Sequence, residues 1–240
     1  MFAGYCEAAA PWSHWRLLQL PPRMPPSTIT PARPLVAPPL LLALRLAFGL
    51  LTLTAIAWQL SIHLSHGYNV LNFFSYFTNL SNLFAAVVLL LGAYHLHAAG
   101  TTQNEALRAA SVVNMVVVGV VFAVLLRDVD LGSLLPWINF VLHTLMPCVV
   151  VADWLLQPPR AKLGARQLLL ALVFPALYLV YVLVRGNSIG WYPYPFLNPA
   201  LVGGPGGVAA YAAGITATFA AAAWLVRVVG NKRAISRQVN

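Results

Sequence analysis

The sequence predicts an all-α fold, a polytopic membrane protein built as a bundle of six transmembrane helices. Three observations carry that expectation. Six apolar stretches are each long enough to cross a hydrocarbon core about 30 Å thick, a distance that takes about 20 residues of helix. The chain of 240 residues is 60% hydrophobic and 8% charged, a balance far from that of an ordinary soluble domain. Its basic residues also gather at alternate ends of the apolar stretches, as they do in chains that weave through a bilayer.

Residues 1–36 come first and stand apart. Pro11, Pro21, Pro22, Pro25, Pro26, Pro31 and Pro34 punctuate them, with little sustained apolar pattern, so a disordered cytoplasmic tail is expected there. Arg16, Arg23 and Arg33 precede an apolar run longer than the roughly 7–15 residues of a cleaved leader's core, which makes the first span an anchor. Met24 offers an alternative start. The bundle occupies 37–230, with spans expected at 39–61, 70–95, 107–127, 134–156, 167–185 and 207–229, and 231–240 form a short basic cytoplasmic tail.

In the first span, Arg45 near one end and Gln59 near the other stand where long side chains can snorkel to the interface or reach a neighbouring helix. The second span carries Ser75, Thr78, Asn79 and Asn82 at helical spacing, a polar stripe on one face. Facing lipid, each unpaired group would cost about 1–3 kcal/mol, so the stripe must point inward, as interhelical hydrogen bonding or as a site. The third span is bracketed by Arg108 and Arg127 and is otherwise apolar apart from short polar side chains. In the fourth, Asn139, His143 and Pro147 follow one another at four-residue steps, and His143 is the only histidine well inside a span. Pro147 and Pro175, the latter in the fifth span, free backbone carbonyls and invite kinks. The sixth span has two small-residue ladders, Ala209, Ala213, Ala217, Ala221 and Ala210, Gly214, Thr218, Ala222, which predict close packing inside the bundle. Before it comes a loop dense in rings: Trp191, Tyr192, Tyr194 and Phe196. These form either an interfacial aromatic belt or a lid over a lipid entrance.

The net charge of +9 reports topology rather than nucleic-acid binding. With both termini cytoplasmic, the inner side receives Arg16, Arg23, Arg33, Arg108, Arg160, Lys162, Arg166, Arg227, Lys232, Arg233 and Arg237, and the outer side Arg127 and Arg185. The Ala- and Arg-rich composition favours a bacterial plasma membrane. Cys6 and Cys148 have no shared context, and neither a CxxC nor a zinc spacing occurs. The pairs His63/His66 and His95/His97 are too few ligands for a metal site, and a haem held by two histidines lacks a second buried imidazole. No metal or organic cofactor is expected.

Thr78 and His143 each lie about 12–14 Å below the outer ends of their spans, so they can meet at one level. A threonine hydroxyl becomes a competent nucleophile when a base within hydrogen-bond reach takes its proton, and histidine is the usual base. Burial disfavours a charged imidazole, which keeps His143 able to accept. Asn79 or Asn82 could donate to a developing oxyanion, and Asn139, one turn before His143, could hold the ring. Asp153, ten residues beyond His143, is too far along the helix to complete a triad and is expected near the inner interface, paired with an arginine.

Three segments together resemble a family. Phe74-Ser-Tyr-Phe-Thr78-Asn-Leu-Ser-Asn82, Asn139-Phe-Val-Leu-His143-Thr-Leu-Met-Pro147 and Trp191-Tyr-Pro-Tyr194-Pro-Phe196-Leu197, in this order among six spans, are similar to the androgen-induced-protein-like membrane hydrolases and their six-span bacterial relatives. The resemblance implies a threonine nucleophile and a histidine base that cleave esters of fatty acids with hydroxy fatty acids, roles that fall on Thr78 and His143. The leading expectation is therefore an intramembrane lipid ester hydrolase working on a hydrophobic acyl substrate among membrane lipids. The alternative is a non-enzymatic carrier or sensor, in which the polar stripe lines a path for a small solute or proton and His143 titrates.

Overall fold

The computed structural model describes residues 37–98, 103–130 and 132–239, with side chains through 234. The tail expected at 1–36, with Cys6, lies outside them. Every regular element among the described residues is helical, and six helices are long and apolar enough to cross a membrane.

Helix α1, Pro38–Ser65, opens on two prolines, whose missing N–H groups fall in the first turn where no intrahelical acceptor exists. The second span is not continuous. It divides into a short α2, Val70–Phe74, capped by the Asn69 side chain, and α3, Phe77–His97, with a break at Ser75–Tyr76. Ser75 therefore ends α2 and does not share the α3 face with Thr78, Asn79 and Asn82. The break has a side-chain cause: the Ser75 hydroxyl donates to Leu71 O at 2.6 Å, a local bond that competes with helical continuation.

Helix α4, Glu105–Val121, is capped by Asn104, begins with an acidic residue at its positive end, and runs into a π-helical turn at Phe122–Leu126. The fourth span is α5, Pro136–Phe140, a second π-helical turn at Val141–Leu145, and α6, Met146–Leu156. Pro147 has no N–H to offer the His143 carbonyl, so the α-helical ladder is interrupted at the wide turn that carries His143. Helix α7, Ala165–Ile189, runs on through Pro175 and stops at Gly190, whose φ of 69° is left-handed. Helix α8, Pro205–Val239, continues through the residues read as a terminal tail.

Helix α1 lies along α3, and α4 occupies the centre, packed against α3, α6, α7 and α8. Helices α3 and α4 are the most buried spans and α7 and α8 the least, with Leu169, Leu177, Val180, Trp224 and Leu225 turned outward as a lipid-facing surface requires. The first small-residue ladder departs from expectation. Ala209, Ala213, Ala217 and Ala221 are exposed, as are Ala210 and Gly214 of the second, and α8 buries Val208, Phe219, Ala222, Ala223 and Val226 instead.

Of the two expectations for Arg45, the structure realises the second, contact with neighbouring helices. It does not snorkel: it is 3% exposed and donates to both Asp153 carboxylate oxygens, to Gln157 Oε1 and to Gly92 O. Arg108, equally buried, reaches the same carboxylate at 3.2 Å and Glu105 at 3.1 Å, and lies over the Trp154 ring. A buried guanidinium is tolerated only when its donors are matched, and here two arginines share two carboxylates. Asp153 is thus paired with arginine as the sequence suggested. At the opposite end, Gln59 fastens the loop before α5, donating to Ser133 O at 3.0 Å and accepting from Leu135 N–H at 3.3 Å.

Candidate functional site

Thr78 is the second residue of α3, so its backbone N–H is one of the groups at a helix start without an intrahelical acceptor. No side chain of the adjoining residues caps it. Its partner comes from the loop between α7 and α8: the Thr78 N–H donates to the Tyr194 hydroxyl at 3.2 Å, and Thr78 Oγ1 lies 3.5 Å from the same oxygen. The carbonyls released by the break before α3 are met in kind. Asn79 Nδ2 donates to Phe73 O at 2.8 Å, Tyr178 OH to Ser75 O at 2.9 Å, and the Ser75 and Tyr181 hydroxyls lie 2.9 Å apart. Arg185 adds a bond to Asn72 Oδ1 at 2.7 Å. Helix α7 therefore holds α2 and the start of α3 in place through polar contacts.

His143 sits in the wide turn between α5 and α6, 8% exposed, with its ring stacked on Phe122 at a centroid distance of 4.2 Å. Phe122 begins the π-helical turn of α4, so two such turns meet face to face. The approach depends on Gly119, where a Cβ would stand 3.3 Å from Pro147 Cβ. His143 Nδ1 lies 3.2 Å from Asn139 O. A carbonyl can only accept, so Nδ1 carries the proton and Nε2 keeps a free lone pair in the neutral ring. Asn139 holds the ring by its backbone rather than its amide, and its side-chain oxygen is buried without a partner.

Asn82 joins the two halves. Its Nδ2 donates to Thr78 O at 2.9 Å and to Leu142 O at 3.0 Å, so one amide nitrogen brings the start of α3 and the turn before His143 within hydrogen-bonding distance of a single atom. Both amide hydrogens are then engaged, and Asn82 is not available as an oxyanion donor; that expectation is corrected by geometry. Asn79 retains one amide hydrogen. No hydrogen bond among the described residues links Thr78 Oγ1 directly to the His143 ring.

Two cavities border this point. One, of about 410 Å³, is lined by Phe77, Val118, Pro175, Leu179, Ala212, Thr216 and Phe219 and is almost wholly apolar. The other, of about 440 Å³, is more polar and is lined by Gln59, His63, Asn79, Asp130, His143, Tyr192 and Asn198. Thr78 and Tyr194 line both. The apolar cavity runs between α7 and α8 and includes Val180, which is 61% exposed on the outer surface of the bundle.

The four rings of the loop fold back onto the bundle. Trp191 packs edge-on against Tyr76 and over Arg185, Tyr192 presses against Gly186, and Tyr194 and Phe196 are buried and stacked on each other at 5.1 Å. A headgroup belt would leave Tyr194 and Phe196 at the surface. Sequence reasoning missed Phe122 and the contact of Tyr194 with Thr78, because both are made between elements distant in the chain. His63 and His66 pack against Tyr68, with a further His63 contact to Phe73. Among the described residues, no group of three His, Cys, Asp or Glu side chains could hold a metal ion.

No curated protein and no solved structure matches the chain. A family model does match, over just under half of the chain; the matched stretch contains Phe122, His143 and Tyr194 and leaves Thr78 outside it. Residues 119–229 match the model of the FAR-17a/AIG1-like protein family, so this stretch of the chain is similar to the FAR-17a/AIG1-like proteins.

Proposed function

We propose that the protein is an intramembrane lipid ester hydrolase with Thr78 as nucleophile and His143 as general base. The observation that carries the reading is that Thr78 lines two cavities of different character at once, an apolar one suited to an acyl chain and a polar one that also holds His143. An ester of a fatty acid has the same division, a hydrocarbon on one side of the carbonyl and an oxygen-bearing leaving group on the other. Its carbonyl carbon would lie beside Thr78 Oγ1.

In this reading Oγ1 attacks the carbonyl carbon and its proton passes to His143 Nε2, directly after a turn of χ1 or over one water in the polar chamber. The carbonyl π pair moves onto oxygen, then returns as the bond to the leaving oxygen breaks, and that oxygen takes the proton from His143. Water, activated by the same imidazole, releases the acyl group from Thr78. The Nδ1 contact with Asn139 O and the Phe122 stack support His143 in this role by fixing the tautomer and the ring plane.

The carrier or sensor alternative calls for access from both ends of the bundle. The buried polar side chains at the far end are matched to one another around Arg45, Arg108 and Asp153, an arrangement suited to a plug. The bilayer is proposed to be a bacterial plasma membrane with both termini cytoplasmic, following the charge bias between the two sides.

A fluorophosphonate ester-hydrolase probe applied to the membrane-embedded chain tests the reading. The parent is expected to label, and Thr78→Ala and His143→Ala at matched protein levels are expected to lose the label. Undiminished labelling of both variants would overturn the assignment.

A further inference from the structure

We propose that the Tyr194 hydroxyl donates the hydrogen bond that stabilises the oxyanion when Thr78 attacks an ester carbonyl; the assignment rests on the hydrolase reading above. The amides that sequence spacing offers for this role are largely committed. Asn82 gives both hydrogens to backbone carbonyls, and Asn79 gives one to Phe73 O, closing the break before α3.

Tyr194 is differently placed. Its oxygen accepts the Thr78 N–H at 3.2 Å, which occupies a lone pair and leaves its own O–H to be donated. The Tyr194 oxygen also lies 3.5 Å from Thr78 Oγ1, a contact in which either hydroxyl can donate and a distance at the outer limit of a hydrogen bond. The phenol is therefore a donor with a weak partner in the resting protein. Once Oγ1 turns to the carbonyl carbon, the O–H is released, and the carbonyl oxygen stands one bond beyond that carbon. Oxyanion donors act at about 2.7–3.1 Å from the developing charge, a distance that a hydroxyl neighbouring the nucleophile can reach.

Three further features suit the role. Tyr194 borders both cavities, and its oxygen lies against Thr78, which borders both as well. Its ring is held by the Phe196 stack and by an edge contact with Tyr76 at 5.7 Å, so the donor is fixed before the reaction begins. Burial pushes its phenol up to about 12, and the group remains a protonated donor across the neutral range. The start of α3 lies at the same point, and the partial positive charge of a helix N-terminus favours the same anion.

The test uses the full chain in lipid nanodiscs. Tyr194→Phe keeps the ring and its packing and removes only the hydroxyl. With a fluorogenic fatty-acyl ester, kcat is expected to fall about 10²–10³-fold with KM nearly unchanged. A trifluoromethyl ketone carrying the same acyl chain, which forms a hemiketal oxyanion on Thr78, is expected to lose affinity to a similar degree. The corresponding alcohol, which forms no oxyanion, is expected to bind the variant and the parent alike. Unchanged kcat and ketone affinity in Tyr194→Phe would overturn the assignment while leaving Thr78 and His143 in place. Equal weakening of ketone and alcohol would also overturn it, by making Tyr194 a packing residue. A parent with no turnover above that of Thr78→Ala would overturn the hydrolase reading, and this assignment with it.

Discussion

The most instructive single residue is Asn82, which looks like one member of a polar stripe and acts as a clamp. Its amide nitrogen holds Thr78 O and Leu142 O together, and both are backbone atoms of the segments that carry the proposed nucleophile and base. Asn82→Leu would keep much of the volume and leave those carbonyls without this donor, a loss of about 1–3 kcal/mol. The functional loss should be larger than the stability loss suggests, because a displacement of about 1 Å between reacting groups costs about 10²-fold in rate. Probe labelling of Asn82→Leu is therefore expected to slow by about that factor while the variant still unfolds cooperatively on heating in detergent. Labelling at the parental rate would mean that Thr78 and His143 are held together by other contacts.

Interruptions in the helices are what make the site. The second span breaks before Thr78, the fourth widens at His143, and α4 widens at Phe122 where it meets the imidazole. Such interruptions free backbone groups that lipid cannot satisfy, and the first two are met by protein: Tyr178, Asn79 and Tyr194 around the first, Asn82 at the second. The loop after α7 belongs to this arrangement. Tyr192 packs directly on Gly186, and a methyl group added there would overlap the ring. Gly186→Ala is expected to force the loop outward, with a stability loss of about 1–3 kcal/mol and loss of probe labelling through displacement of Tyr194. Hydrogen exchange should report faster exchange confined to 190–204 and the start of α3. Unchanged exchange and labelling would show that Tyr192 can move without moving Tyr194.

For the molecule as a whole, the two ends of the bundle do different work. One end carries the arginine and aspartate cluster, and the other holds two cavities that both border Thr78. The apolar cavity lies between the two least buried helices, α7 and α8, so an acyl chain would enter from the bilayer. Ala212 lines it, and Ala212→Phe would fill part of the space that a long chain needs. Turnover of long-chain esters is expected to fall about tenfold or more relative to short-chain esters, a size of effect typical of a pocket altered by a few methylene groups. A ratio unchanged from the parent would place the acyl chain elsewhere.

Much of this architecture was legible in the chain. Runs of about 20 apolar residues have one stable solution in a bilayer, the helix, so the number and approximate limits of the spans follow from composition and length alone. The inward direction of Thr78, Asn79 and Asn82 and the unusual position of His143 follow from the cost of polar groups in lipid. Other features depend on which helices are neighbours, which periodicity does not encode. The break at Ser75 is held by side chains from α7, Arg45 is buried because Asp153 and Gln157 come from a span 108 and more residues away, and Tyr194 reaches Thr78 across 116 residues. The exposed alanine ladder on α8 has the same origin, since which face of a helix is buried depends on where its neighbours stand. Local sequence carries the cost of leaving a group unpaired, and tertiary packing decides which group pairs with it.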